Sequence, residues 1–139
     1  MVRAEAIFGP IGVLALWTML VLFSIGFRRF GAVRARRVTP DDFRLGESAD
    51  VPEDIAVANR NLMNLLEIPV LFYVVCLCLY VTHQVHPGLL RLAWVYVALR
   101  VLHSFIHLTT NNVRHRLFIF VLSNVALIAL WIGFLKRVV

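Results

Sequence analysis

Charged residues are scarce in this chain of 139 residues. Lysine, arginine, aspartate and glutamate make up 16% of the sequence, whereas hydrophobic residues make up 60%. A soluble domain is roughly 45–50% apolar, so the composition excludes an ordinary soluble domain and indicates an integral membrane protein. The length predicts a single domain over residues 1–139.

Cysteine is also scarce. Cys76 and Cys78 are the only two, and both lie in the middle of an apolar segment. Residues two apart on a helix point to nearly opposite sides. The pair is therefore a poor candidate for a mutual disulfide or a shared metal ion, and we interpret both side chains as apolar filler.

Acidic residues are fewer than basic ones. Eight acids against fourteen lysines and arginines give a net charge of +6. A basic protein can bind nucleic acid, but here the cations cluster at the ends of apolar segments rather than in a separable basic domain. That pattern is typical of orientation signals and lipid headgroup contacts, so we expect a lipid bilayer and no nucleic acid as partner.

Four long apolar segments predict four transmembrane helices, because about 20 apolar residues span a bilayer. Their predicted bounds are about residues 6–27, 54–82, 88–110 and 115–136. The first segment has no small-x-small cleavage site before the arginines, so we interpret it as a retained anchor. Short connections after the second and third segments favour antiparallel neighbours. The predicted fold is an all-α membrane protein with a four-transmembrane-helix up-and-down bundle.

The one long polar connection, residues 28–59, contains signals for the end of the first helix and the start of the second. Its opening arginines can continue the first helix beyond the membrane. Asp50 is a candidate cap of the second helix, with Pro52 in the first turn and Glu53 near the positive end of the helix dipole. Farther along the second helix, Pro69 predicts a kink.

The basic residues predict the orientation in the membrane. The first and third connections hold most of them: Arg28, Arg29, Arg34, Arg36, Arg37, Arg44, Arg114 and Arg116. Because cytoplasmic loops carry an excess of lysine and arginine, we expect these connections in the cytoplasm and both termini outside.

Two stripes of polar residues interrupt the apolar helices near that cytoplasmic side. On the second helix Arg60, Asn64 and Glu67 have the spacing of one face, and Glu67 is the only acid inside a long apolar run. The second stripe, predicted on one face of the third helix, consists of Arg100, His103, His107, Asn111 and Arg114. Ionisable groups at membrane depth usually face a protein interior or wet cavity and mark a function.

The chemistry of the stripes suits a small zwitterionic, polyanionic ligand. Arginines bind carboxylates bidentately, Glu67 could bind an ammonium group, and Asn64 offers both a donor and an acceptor. The lipid-facing grooves beside the stripes would suit an apolar second substrate. The alternative is structural: the arginines extend to lipid headgroups, and Glu67 pairs with a neighbouring arginine.

A metal site and a serine nucleophile have weaker support from the sequence. His103 and His107 have the i, i+4 spacing that can bind zinc from one helix. However, the segment HSFIH lacks the internal glutamate of HExxH, so we predict no metal. Ser104 and Ser123 have no triad-like context.

The segment RNLMNLLEIP, followed by RVLHSFIHLTTNNVRHR, resembles the MAPEG family, the membrane-associated proteins in eicosanoid and glutathione metabolism, and in particular its bacterial members. The resemblance covers the four helices and the long first connection. It implies a homotrimer in a bacterial inner membrane, with glutathione sites between subunits that open to the cytoplasmic side.

The resemblance also implies roles for individual residues. Arg29 is the first candidate for activating the glutathione thiol and Arg114 the second. The implied glutathione-binding residues are Arg28, Arg60, Asn64, Glu67, Arg100, His103, His107 and Arg116. His107 stands where family members often have tyrosine.

Two functional hypotheses follow. The first is a glutathione-dependent transferase or peroxidase acting on a lipophilic electrophile. The alternative is a non-enzymatic trimeric membrane protein that binds an anionic metabolite or a lipid headgroup. A transporter has less support because the chain shows no inverted repeat.

Overall fold

A computed structural model of the chain describes residues 3–44, 46 and 50–138. It has five α-helices: α1 (Phe8–Arg34), α2 (Glu53–Leu66), α3 (Pro69–Val81), α4 (Pro87–Leu108) and α5 (Val113–Val138). Short 3-10 helices cover Ala4–Ile7 and Pro40–Phe43. No strand occurs within the described ranges, which confirms the predicted all-α fold.

The helices form four spans that are long and apolar enough to cross a membrane: Ala4–Arg34, Glu53–Val81, Pro87–Leu108 and Val113–Val138. The second span combines α2 and α3. These spans confirm the four predicted transmembrane helices, and the protein is an integral multi-pass membrane protein.

The first helix is longer than the predicted range 6–27. It continues to Arg34, so the basic run extends it as expected. Arg28 and Arg29 consequently lie inside the helix, beyond the predicted end of the first segment at residue 27. The physical reason is that arginine is a good helix former and its charge is favourable near a helix C-terminus.

The start of α2 differs from the predicted cap. Pro52, in an extended conformation, occupies the N-cap position, and the described residues provide no side-chain cap. Its carbonyl accepts hydrogen bonds from the backbone N–H groups of Ile55 and Ala56. The prediction of Asp50 as cap was therefore wrong, whereas Glu53 and Asp54 do lie in the first turn.

The second span breaks where Pro69 predicted a kink. Glu67 ends α2 with a non-helical ψ of −88°, and Pro69 is the first residue of α3. Proline has no backbone N–H to continue the hydrogen-bond ladder and clashes with the preceding turn. The Glu67 side chain at this break is exposed on the surface of the chain.

The core lies between the spans and joins α4 to every other long helix. Phe72 of α3 stacks on Tyr96 of α4, with ring centroids 4.6 Å apart. Gly133 of α5 lets the Leu89 side chain of α4 approach closely, because an added Cβ would lie 2.5 Å from Leu89 Cδ2. Many large apolar side chains, Phe23 among them, point outward, as expected for a lipid-facing surface.

Candidate functional site

Three basic side chains of α4 are buried inside the bundle. Arg100, His103 and His107 are 0%, 3% and 1% exposed. Their i, i+3, i+7 spacing places them on one helix face, as predicted. The prediction that Asn111 and Arg114 continue this face was wrong, because α4 ends at Leu108 and the chain turns there.

Arg100 is the most deeply buried charge of the site. One terminal nitrogen, Nη2, donates to the backbone carbonyl of Asn64, and the guanidinium lies over the Phe120 ring, 5.7 Å from its centroid. Its Nε and Nη1 atoms are buried without a hydrogen-bond partner in the part of the chain that the structure describes. Glu67 is near enough to attract it electrostatically. Unused donors on a buried charge are costly, so the site favours an acceptor-rich ligand.

A small cavity of about 240 Å³ has Asn64 and Phe120 in its wall, two residues that Arg100 contacts, although Arg100 itself does not line it. It brings together predicted site residues from three helices, Asn64 of α2, His103 of α4 and Arg116 of α5, with Val113, Leu117 and Phe120 completing the wall. Arg60 lies close enough to repel Arg116 electrostatically. The cavity is therefore cationic on one side and apolar on the other.

A larger cavity of about 640 Å³ opens near the first and third connections. Its wall includes Arg28, Glu53, His107 and Asn111. Arg28 donates to the backbone carbonyl of Asp54 over 2.8 Å. The Nδ1 atom of His107 is buried without a partner among the described residues. Solvent or a polar ligand could satisfy it from this cavity.

A pair of imidazoles separates the two cavities. The rings of His103 and His107 are nearly parallel, 6.1 Å apart between centroids. His103 contributes to the small cavity and His107 to the larger one. Within the described ranges, no group of three His, Cys, Asp or Glu side chains is arranged to hold a metal ion.

Five predicted residues line neither cavity: Arg29, Arg60, Glu67, Arg100 and Arg114. Arg100 is buried, as described above, and Arg60 is exposed on α2. Glu67 is exposed at the end of α2. Arg114 is exposed, and its backbone N–H donates to Asn112 Oδ1 over 3.0 Å. The Arg29 guanidinium covers the Phe43 ring, 4.5 Å from its centroid. A single chain therefore does not assemble the full predicted set.

The sequence reasoning missed a buried polar cluster that joins three helices. Trp17 Nε1 and Asn61 Nδ2 both donate to Ser104 Oγ, over 2.8 and 2.7 Å. Asn61 lies three residues after Ala58 and four before Leu65, and all three side chains are buried. An asparagine on an otherwise apolar helix face was the available signal for this cluster.

A second missed chain of hydrogen bonds leads out of the small cavity. Arg116 Nη1 donates to Asn111 Oδ1 over 2.7 Å, and Asn111 Nδ2 donates to Glu53 Oε1 over 3.2 Å. Beside it, Arg37 donates to both oxygens of Asp54 over 3.0 and 2.8 Å. These hydrogen bonds raise the pKa of Arg37.

These features define a class of protein: a multi-pass membrane protein of four helical spans with a cationic, partly apolar cavity between the helices. The family model described as MAPEG family matches residues 7–136. The chain therefore belongs to the MAPEG family, which confirms the resemblance seen in its helix-two and helix-three segments. Comparisons with curated proteins and with solved structures returned no match.

Proposed function

We propose that the protein is a glutathione-dependent transferase or peroxidase that acts on a lipophilic electrophile. The observation that carries the proposal is the buried Arg100 guanidinium, which has two unused donors and contacts Asn64 and Phe120 of the cavity wall. Membership of the MAPEG family supports glutathione as the ligand, because the family resemblance implies glutathione sites.

Glutathione suits this cavity because it carries two carboxylates and one ammonium group. Arg60 and Arg116 would bind carboxylate oxygens, and Arg100 would donate from its unused nitrogens. Asn64 and His103 line the same cavity and would hydrogen-bond the peptide groups. Glu67, at the surface, would take the ammonium group where a neighbouring chain completes the site.

The reaction requires a thiolate, and a nearby guanidinium lowers a thiol pKa by stabilising the charged form. Arg116 is better placed for this than Arg114, since Arg116 lines the cavity whereas Arg114 points to solvent.

Arg29 would act on the thiol of a neighbouring subunit. In that role, Arg29→Ala should lose conjugation while glutathione still binds. Arg28 and His107 would contact the ligand only from the larger cavity.

The assembly in this proposal is a homotrimer in a bacterial inner membrane, with termini outside and the arginine-rich connections in the cytoplasm. The exposed Glu67 supports burial by another subunit, because an ionisable side chain facing lipid is costly. Labelling of an introduced Arg36→Cys or His83→Cys with a membrane-impermeant thiol reagent tests the orientation. Reaction of Arg36→Cys from outside intact cells would contradict it.

The proposal is tested by calorimetric titration of the detergent-purified protein with glutathione. We expect saturable binding that is at least about tenfold weaker in Arg60→Ala and in Glu67→Gln, since each loses a hydrogen bond to a charged group. Arg91→Ala, on the exposed surface of α4, is the control for loss of one cation. The pair Arg116→Ala and Arg114→Ala decides which arginine contacts the ligand.

An assay with chlorodinitrobenzene then distinguishes the two functional hypotheses. The enzyme hypothesis is supported if the wild-type protein conjugates glutathione to this electrophile and the arginine variant that loses glutathione binding also loses conjugation. Binding without conjugation of any electrophile supports the non-enzymatic alternative, in which the same cations hold a metabolite or headgroup. A folded wild-type protein that does not bind glutathione would contradict the proposal.

A further inference from the structure

The chain of hydrogen bonds from Arg116 to Glu53 connects the small cavity to a carboxylate outside it. It runs from the first turn of α5, through Asn111 in the turn between α4 and α5, to the first residue of α2. Asn111 uses both ends of its amide, accepting from Arg116 and donating to Glu53. One side chain thus joins the start of α5 to the start of α2, which is distant in sequence.

The backbone of the turn holds Asn111 in place for this contact. Asn111 has a φ of +49°, a left-handed conformation that asparagine tolerates better than most residues. Its N–H donates to the Ile106 carbonyl over 2.8 Å. The neighbouring Asn112 has a different role: its Oδ1 accepts from the N–H groups of Arg114 and His115 and so caps α5.

Arg116 needs an anchor because of the charges around it. Arg60 is near enough to repel Arg116 electrostatically, and a long arginine side chain loses considerable freedom when it is fixed. The Asn111 oxygen supplies the attraction that holds the guanidinium at the cavity wall. A carboxylate only accepts hydrogen bonds, so Glu53 holds the NH₂ group of Asn111 toward itself and leaves the amide oxygen facing Arg116.

We propose that Asn111 and Glu53 are positioning residues that hold Arg116 in the small cavity and so set its affinity for an anionic ligand. This inference rests on the proposed function in one respect: the proposed function identifies the anionic ligand as glutathione. It makes binding in one cavity depend on residues that line the other.

Four variants test this inference. Asn111→Gly removes the bridging amide and keeps the left-handed turn, which glycine adopts freely. Asn112→Ala is the matched control, since it removes a helix cap from the same turn. Glu53→Ala and Glu53→Gln both remove the negative charge, but glutamine keeps an oxygen that accepts from Asn111. The difference in affinity between Glu53→Ala and Glu53→Gln therefore measures the effect of the hydrogen bond separately from that of the charge.

The first measurement is the glutathione affinity of each variant. We expect Asn111→Gly to bind about tenfold more weakly, the effect of losing one hydrogen bond to a charged group. Glu53→Ala should be weakened less, Glu53→Gln should recover most of the affinity, and Asn112→Ala should bind like the wild type while melting at a lower temperature. Equal affinity in Asn111→Gly and Asn112→Ala would overturn the inference.

The second measurement does not depend on glutathione. An arginine-selective dicarbonyl reagent is applied to the folded proteins, and modification of Arg116 is followed by peptide mass spectrometry. We expect Asn111→Gly to be modified several-fold faster at Arg116 than Asn112→Ala or Glu53→Gln, because a released guanidinium is more accessible. If this pattern appears but the wild type does not bind glutathione, the anchor stands and the proposed function fails. If Arg116 is modified at equal rates in these variants, Asn111 does not anchor Arg116, whether or not the protein binds glutathione.

Discussion

The guanidinium of Arg100 presents the clearest conflict between stability and function at the scale of single residues. It is fully buried, yet two of its nitrogens lack a partner among the described residues. A buried charge whose donors lack partners is costly to the folded state, and an apolar side chain of similar size removes that cost. We therefore expect Arg100→Met to melt at the same or a higher temperature in detergent while glutathione binding is lost.

The control for this prediction is Arg91→Met on the same helix, where the arginine is exposed. That change should affect neither the melting temperature nor binding. If Arg100→Met instead lowers the free energy of unfolding by several kcal/mol, its bond to the Asn64 carbonyl is structural, and the unused donors are no evidence for a ligand.

Spacing alone identified the residues of the site that share one helix. Arg100, His103 and His107 were predicted from their periodicity, and the structure buries all three. Periodicity could not identify Trp17 and Asn61 as partners of Ser104, because these side chains come from three helices. Such contacts depend on the rotation and axial shift of one helix against another, which a hydrophobic pattern does not determine.

At the scale of helices, two C-termini have a left-handed residue other than glycine. Arg36 follows α1 and His83 follows α3, each with a φ of +56°. In both cases the next N–H bonds back into the last helical turn, Arg37 to the Ala32 carbonyl and Gln84 to the Leu79 carbonyl. This is the Schellman arrangement, in which glycine is the preferred residue at the left-handed position.

We expect Arg36→Gly to raise the free energy of unfolding by about 0.5–1 kcal/mol, because relief of the left-handed conformation exceeds the entropy cost of glycine. Arg34→Gly, two residues earlier and in a right-handed helix, should lower it by about 1 kcal/mol. Thermal unfolding in detergent measures both. Shifts of the same sign would contradict the argument from backbone conformation and point instead to the loss of a positive charge.

The helices themselves were predictable, but their ends were less so. Pro69 broke the second span where expected, since proline removes a specific hydrogen bond. The first helix continued through its arginines to Arg34, and α4 stopped at Leu108. Those bounds depend on whether polar residues remain helical beyond the membrane, and helix propensity is too weak to decide this.

For the whole molecule, the sequence was sufficient to predict four spans and the MAPEG family. It did not indicate that Glu67 would lie on the surface of the chain, outside the wall of the cationic cavity. The direction of that side chain depends on the break between α2 and α3, whose geometry is irregular. A single chain thus leaves its only mid-span acid exposed in the region expected to contact lipid or another chain.

This exposed carboxylate leads to a prediction about assembly. An acidic side chain at membrane depth costs about 2.5–3.5 kcal/mol on insertion scales, so association that covers Glu67 is favoured. We expect the protein in mild detergent to have three times the 15.9 kDa mass of the chain by native mass spectrometry. Glu67→Gln should retain three copies, since the proposed role of the carboxylate is to bind the ligand ammonium group. Dissociation of Glu67→Gln would assign Glu67 to an ion pair between subunits, and a wild-type particle of one chain would contradict the trimer.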